Sequence, residues 1–345
     1  MITTGKINVI FDEEFENIFM ALTIKDFNSL GFSFGDSVNI TFDNGVELLD
    51  VPYYSGYYGF IEQLQLTGYP GDPYIKLARN CGNPTWYEFK MKDNTIAEIS
   101  LEEKAKYIEV QELFSLEYSN YREDFSSDEI YSNFRELKGG NIKEHYFYRS
   151  TSPCDNLHNR ASFTDNLIKQ HGIRCVLNLS NNEKRYEAFV EKDDFNSPYY
   201  DSLYRSGNVL LLQLNVNYHN QEFQKKLANG FMEMTKHEGP VLAHCMEGKD
   251  RTGFVSAMIL SLAGASYQDI INDYMLTYSN YYNITKESNP KKYEAILDNV
   301  YDFLYNIAAT KDFRNADLKL GAENYLKKGG LSDSQIKKIE DFINK

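Results

Sequence analysis

Ten consecutive residues, His244-Cys245-Met246-Glu247-Gly248-Lys249-Asp250-Arg251-Thr252-Gly253, bring a thiol, two carboxylates, two cations and a hydroxyl into one short segment. Each type has a distinct use. A thiolate is a nucleophile, a carboxyl group transfers a proton, and a guanidinium grips two oxygens of a phosphate at once. Arg251 follows Cys245 by six positions, far enough to return across a loop that begins at the sulfur. Gly248 permits tight curvature, so that successive backbone N–H groups aim at the non-bridging oxygens of a phosphate.

Those groups act only if neighbouring elements hold them. Val241–His244 reads as a buried strand, and Thr252–Leu262 as a helix apolar on nearly every face, as at a domain centre. The helix start supplies unpaired N–H groups and the positive end of the dipole, which favour an anion above it and the thiolate form of Cys245. Cys245 is then expected to attack phosphorus and form a phosphocysteine, with Arg251 clamping the phosphate. Thr252 donates its hydroxyl to the departing sulfur. Met246, Glu247, Gly248, Lys249, Thr252 and Gly253 form the phosphate cradle, and His244 orients the loop backbone rather than moving protons. Lys249 has two equal readings, contact with a neighbouring phosphate or carboxylate and electrostatic support of the thiolate.

The chemistry requires no cofactor and no metal. Cys81, Cys154, Cys175 and Cys245 show neither metal-ligand spacing nor disulfide-framework density. Cys175, in a buried apolar strand, reads as inert core rather than a redox partner of Cys245. The tyrosines of Tyr274–Tyr282 are expected to pack a helix rather than form a lid.

Cys-x5-Arg inside His-Cys-x-x-Gly-x-x-Arg-Thr-Gly resembles the signature of the protein tyrosine phosphatase superfamily. With Lys249-Asp250 before the arginine, the loop is similar to the bacterial tyrosine and lipid phosphatases typified by the secreted phosphatase B of mycobacteria. The resemblance runs from about Tyr148 to the C-terminus. It includes Tyr148-Arg149-Ser150, Asn178-Leu179-Ser180 with Glu183, and Tyr325-Leu326 with Gly330-Leu331-Ser332. It implies a general acid, which many members take from an upstream Trp-Pro-Asp loop. Here the single tryptophan is Trp86, and Leu214–Asn220 contains no carboxylate. The resemblance therefore assigns the acid to Asp250, with Asp193 and Asp194 as runners-up. Arg149 and Ser150 either support the substrate loop or serve an ordinary strand edge. One departure stands out, since Asn178-Leu179-Ser180 replaces the Asp-Leu-Arg usual in that group. The N-terminal part resembles a domain that accompanies such phosphatases in some Firmicutes proteins.

Residues 1–140 carry 24 acidic and 11 basic side chains, a net of −13, whereas 141–345 carry 26 and 25, a net of −1. The first part should repel nucleic acid and anionic membrane surfaces. The contrast places a domain boundary at Gly139–Gly140, giving a β-rich accessory domain (1–139) and a catalytic domain (140–345). In the first, Asp43-Asn44-Gly45 signals a hairpin, and Trp86–Met91 with Thr95–Ser100 a second, within a small barrel or sandwich. In the second, strands at Ile173–Leu179, Asn208–Val216 and Val241–His244 alternate with helices. That is an α/β domain with a mainly parallel sheet flanked by helices. Its tail reads as two helices broken at Gly329-Gly330.

The expected function is a metal-independent phosphatase acting most readily on phosphotyrosine in proteins. The alternatives are a phosphoinositide or inositol-phosphate phosphatase and, behind it, a module that binds phosphorylated ligands without turnover. No apolar run approaches a membrane span, so stable membrane insertion is not expected. A reduced thiol fits the cytoplasm, with a secreted form that has lost its leader as the alternative. Oligomeric state is left open by the sequence.

Overall fold

The computed structural model describes residues 2–60 and 62–345. The chain divides into two compact units, Met1–Leu116 and Glu117–Lys345.

In the first unit the strands β1 (Thr3–Phe11), β2 (Ile18–Met20), β3 (Ser37–Phe42), β4 (Glu47–Tyr54), β5 (Leu64–Thr67), β6 (Lys76–Arg79) and β7 (Ile96–Glu103) close a barrel in the order β1-β2-β6-β5-β4-β3-β7. Neighbours are antiparallel apart from β4 with β5. The hairpin expected at Asp43–Gly45 joins β3 to β4, with Gly45 at φ 90° and the Asn44 side chain accepting from Val46 N–H. Alternation delivers Val38, Ile40, Leu66, Leu77, Ala97 and Ile99 to a fully buried core. The second hairpin does not form. Trp86 lies in a short helix, Thr85–Glu88, after Pro84, and its ring meets Phe11 edge-on at 5.2 Å. Trp86, Phe89 and Met91 wrap a turn towards the core, which a period-two reading takes for a strand.

The first unit also buries a cation. Lys76 is 2% exposed, pairs with Asp72 (2.9 Å) and Asp12 (3.4 Å), and lies over the rings of Phe19 and Phe15.

The second unit is built on a sheet in the order β11-β10-β12-β9-β8. Here β8 is Arg135–Glu136, β9 Phe147–Ser150, β10 Cys175–Asn178, β11 Val209–Leu211 and β12 Val241–His244. The first four are parallel, and β8 adds an antiparallel edge. The helix Asp250–Leu262 follows β12, with every residue from Arg251 to Leu262 buried. Phe254 stacks on Tyr218 at 4.4 Å and meets Phe303 and Tyr325 from two further helices, Pro290–Ala308 and Leu318–Lys328. The tail ends in the helix Asp333–Ile343, and Gly330, at φ 102°, makes the break before it.

The division at Leu116 differs from the boundary expected at Gly139–Gly140. The intervening residues pack as part of the second unit. Strand β8 pairs with β9, and Gly140 lies so close to the carbonyl of Ala263 that a Cβ would stand 2.2 Å from it. Charge follows composition, and packing does not follow charge here. The strand expected over Asn208–Val216 is also shorter, because the chain leaves the sheet after Leu211.

Candidate active site

In a parallel sheet, ligand sites lie beyond the carboxyl ends of the strands. Strands β9, β10 and β12 end in register at Ser150, Asn178 and His244. Cys245, 4% exposed, is the next residue.

The loop from Cys245 to Lys249 has its carbonyls tied outward. Cys245 O accepts from His244 Nδ1 (3.1 Å), and Met246 O from Thr151 Oγ1 (2.7 Å) and Ser152 N (2.9 Å). Glu247 O accepts from Tyr281 Oη (3.0 Å), and Gly248 O from Arg149 Nη2 (2.7 Å) and Asn133 Nδ2 (3.2 Å). In a trans peptide the N–H of the next residue points opposite to the carbonyl. Pinning these four carbonyls therefore turns the N–H groups of Met246, Glu247, Gly248 and Lys249 inward, as an anion cradle requires. Gly248 has φ 68°, and a Cβ there would lie 2.3 Å from Ser150 O. No other residue fits. The Ser150 hydroxyl itself donates to Thr151 O, so Ser150 meets the loop through its main chain.

Arg149 is fully buried. One arm of its guanidinium bonds Asp273, in the helix Tyr267–Tyr282, and the other holds Gly248 O. Arg135 binds the same carboxylate at 2.9 Å. Burial alone would raise the Asp273 pKa, but the two guanidiniums hold it below the usual carboxylate range.

At the helix start, Arg251 is 7% exposed and donates to Leu214 O at 3.1 Å. The carboxylate-free segment Leu214–Asn220 thus aims the arginine with a backbone carbonyl. Thr252 Oγ1 is buried and has no hydrogen-bond partner among the described residues. Gly253 departs from expectation. Its N–H donates to Lys249 O (2.8 Å) and its Cα faces Tyr274 and Phe303, so its size serves helix packing, not the phosphate cradle. Asp250 opens the helix with its side chain 48% exposed. Partial loss of hydration, limited by that exposure, raises its pKa against the pull of Lys249, the direction a proton donor needs. Asp193 and Asp194 are exposed, and Asp194 is bonded to Asn156.

His244 is fully buried, and burial pushes its pKa down to about 4, so the ring is neutral. A carbonyl only accepts, so Nδ1 carries the proton towards Cys245 O. Nε2 must then accept from Tyr200 Oη (3.1 Å), which in turn accepts from Asn178 Nδ2 (2.8 Å). Asn178, standing where the resembled group has aspartate, serves this chain without charge.

At the rim Lys249 pairs with Glu247 at 2.9 Å, and Tyr118 donates to Glu247 at 3.2 Å. None of the four cysteines forms a disulfide among the described residues, and burial pushes Cys154 and Cys175 up to about 12. Sequence reasoning missed Tyr118, Asn133, Tyr200 and Asp273, each from a remote segment and without motif spacing. Among the described residues no group of three or more His, Cys, Asp or Glu could hold a metal ion, and no helix is long and apolar enough to cross a membrane.

The triple specificity protein phosphatase PtpB of Mycobacterium tuberculosis is 53% identical over 36 residues, which is 10% of this chain and only 13% of that protein's length. Among solved structures, the core catalytic domain of the PP-IP phosphatase SIW14 from S. cerevisiae, in complex with citrate, is similar at 18% identity and a TM-score of 0.28, over 53% of this chain and 95% of that one. An uncharacterised conserved protein from Thermotoga maritima is similar at 18% identity and a TM-score of 0.24, over 28% and 35%. A model of the tyrosine phosphatase family matches residues 129–343, well over half the chain and including the whole loop. On that match, the chain belongs to the tyrosine phosphatase family.

Proposed function

We propose that the second unit hydrolyses phosphomonoesters, phosphotyrosine in proteins foremost, through a phosphocysteine on Cys245. The observation that carries this reading is the loop whose outward-pinned carbonyls turn four N–H groups inward, with Cys245 and Arg251 at its two ends. Cys245 Sγ attacks phosphorus while the P–O bond to the leaving group breaks. The Asp250 carboxylic acid gives its proton to the leaving oxygen. Water then attacks phosphorus, losing a proton to the Asp250 carboxylate, and the S–P bond breaks to free phosphate and thiolate. Arg251 binds two non-bridging oxygens throughout, and the unpartnered Thr252 hydroxyl donates to the departing sulfur.

The short match to a triple specificity protein phosphatase supports phosphatase chemistry, and phosphoinositides are a second reading. Lys249 at the rim is the residue that favours them. Hydrolysis of p-nitrophenyl phosphate in chelator tests the proposal. Turnover should vanish in Cys245→Ser and fall by about 10²–10⁴ in Asp250→Asn, with loss of the alkaline limb of the rate profile. A wild type that binds vanadate without turning over substrate would make the loop a binding module.

A further inference from the structure

We infer that Glu247 is a specificity-determining residue: by neutralising Lys249 it restricts the loop to substrates bearing a single phosphate. The inference rests on the phosphatase reading above. Lys249 is the loop cation placed to meet a second phosphate, yet its Nζ lies 2.9 Å from Glu247 and 3.9 Å from Asp250, with the Lys249 and Glu247 side chains 19% and 12% exposed. In so sheltered a place the pair is screened little by water or salt.

Glu247 is held at both ends. Tyr118 Oη donates to its carboxylate, and Tyr281 Oη donates to its backbone carbonyl. The two tyrosine rings stack on each other at 5.1 Å, so they act as one wall. The neighbouring cations are engaged elsewhere. Arg149 and Arg135 share Asp273, and Arg160 bonds the carbonyls of Ser119 and Tyr131 at 2.7 Å. A phosphotyrosine offers its one phosphate to Arg251 and the loop. An inositol polyphosphate brings a second dianion against the Glu247 carboxylate, and must break the Glu247–Lys249 pair to bind.

The test compares kcat/KM for a phosphotyrosine peptide and for a soluble inositol polyphosphate in the full chain. Glu247→Gln should raise the polyphosphate-to-peptide ratio about tenfold, mainly through KM for the polyphosphate. Tyr118→Phe, which keeps the stacked ring, should raise it about two- to threefold. Adding Lys249→Gln to Glu247→Gln should cancel the gain. An unchanged ratio, or a gain that survives Lys249→Gln, overturns the inference. Calorimetric titration of the same polyphosphate into Cys245→Ser, with and without Glu247→Gln, reads the effect without turnover. A wild type inert on both substrates sinks the phosphatase reading, while the calorimetric difference still decides the role of Glu247. Should Glu247→Gln fail to fold, Tyr118→Phe carries the test.

Discussion

Each unit buries a charged cluster, and the two are wired differently. In the barrel one cation, Lys76, sits between two carboxylates, Asp12 and Asp72, beneath two aromatic rings. In the second unit one carboxylate, Asp273, sits between two cations, Arg135 and Arg149. The partners of Lys76 all belong to the barrel. Arg149 has a donor left over, and spends it on the carbonyl of Gly248. A buried charge network is weak evidence of net stability, since desolvation offsets most of the attraction. What separates the two clusters is where the spare hydrogen bond goes, and only the second one shapes a reactive loop.

Removing one cation from each cluster tests that difference most strongly. Lys76→Met should lower unfolding free energy by about 3–5 kcal/mol, because it strands the carboxylates of Asp12 and Asp72. Arg149→Met should cost about 1–3 kcal/mol, because Arg135 still pairs with Asp273. Turnover per folded molecule should fall about a hundredfold in Arg149→Met and stay level in Lys76→Met. A comparable loss in both, measured by urea unfolding alongside steady-state rates, breaks the contrast. Gly248→Ala should follow, costing about 1–3 kcal/mol through its left-handed φ and the approach to Ser150 O, with at least tenfold slower turnover.

The clusters should also respond oppositely to acid. Asp273, held below its ordinary 3.8 by the two guanidiniums against desolvation, contributes stability that is complete above that value and lost as pH falls through its folded pKa. Asp72, held above 3.8 by desolvation despite Lys76, weakens the fold when ionised, and protonation relieves this as pH falls. Hydrogen exchange down an acid titration should therefore show the Asp273 helix loosening before the barrel, and Asp273→Asn should flatten that response. The smallest effect belongs to Tyr200→Phe, which leaves His244 Nε2 without its donor. About 1 kcal/mol of stability and a several-fold fall in kcat are expected, with KM little changed.

The loop was legible because its chemistry is contiguous. Cys245, Gly248, Asp250 and Arg251 lie within one turn of chain, and the strand before and buried helix after them follow from apolar pattern alone. What supports the loop was not legible, since Asn133, Tyr200 and Asp273 reach it from separate elements and only the folded sheet brings them together. Trp86–Met91 misled through an apparent alternation that the short helix after Pro84 resolves differently. The boundary at Gly139–Gly140 misled because residues 117–139 share the acidity of the barrel but the packing of its neighbour. Gly253 illustrates the opposite hazard, a motif position whose spacing suggests the ligand and whose contacts serve the helix.

The position of Trp86 has a practical consequence. The chain has one tryptophan, and it is 8% exposed beside the core of the barrel. Intrinsic indole emission therefore watches the first unit alone. Turnover watches the second, because Arg251 lies in the first turn of a helix so enclosed that it cannot fray without opening the core around it. The molecule carries two built-in reporters, one optical and one chemical, and a single titration with denaturant followed both ways reveals whether its halves melt together or apart.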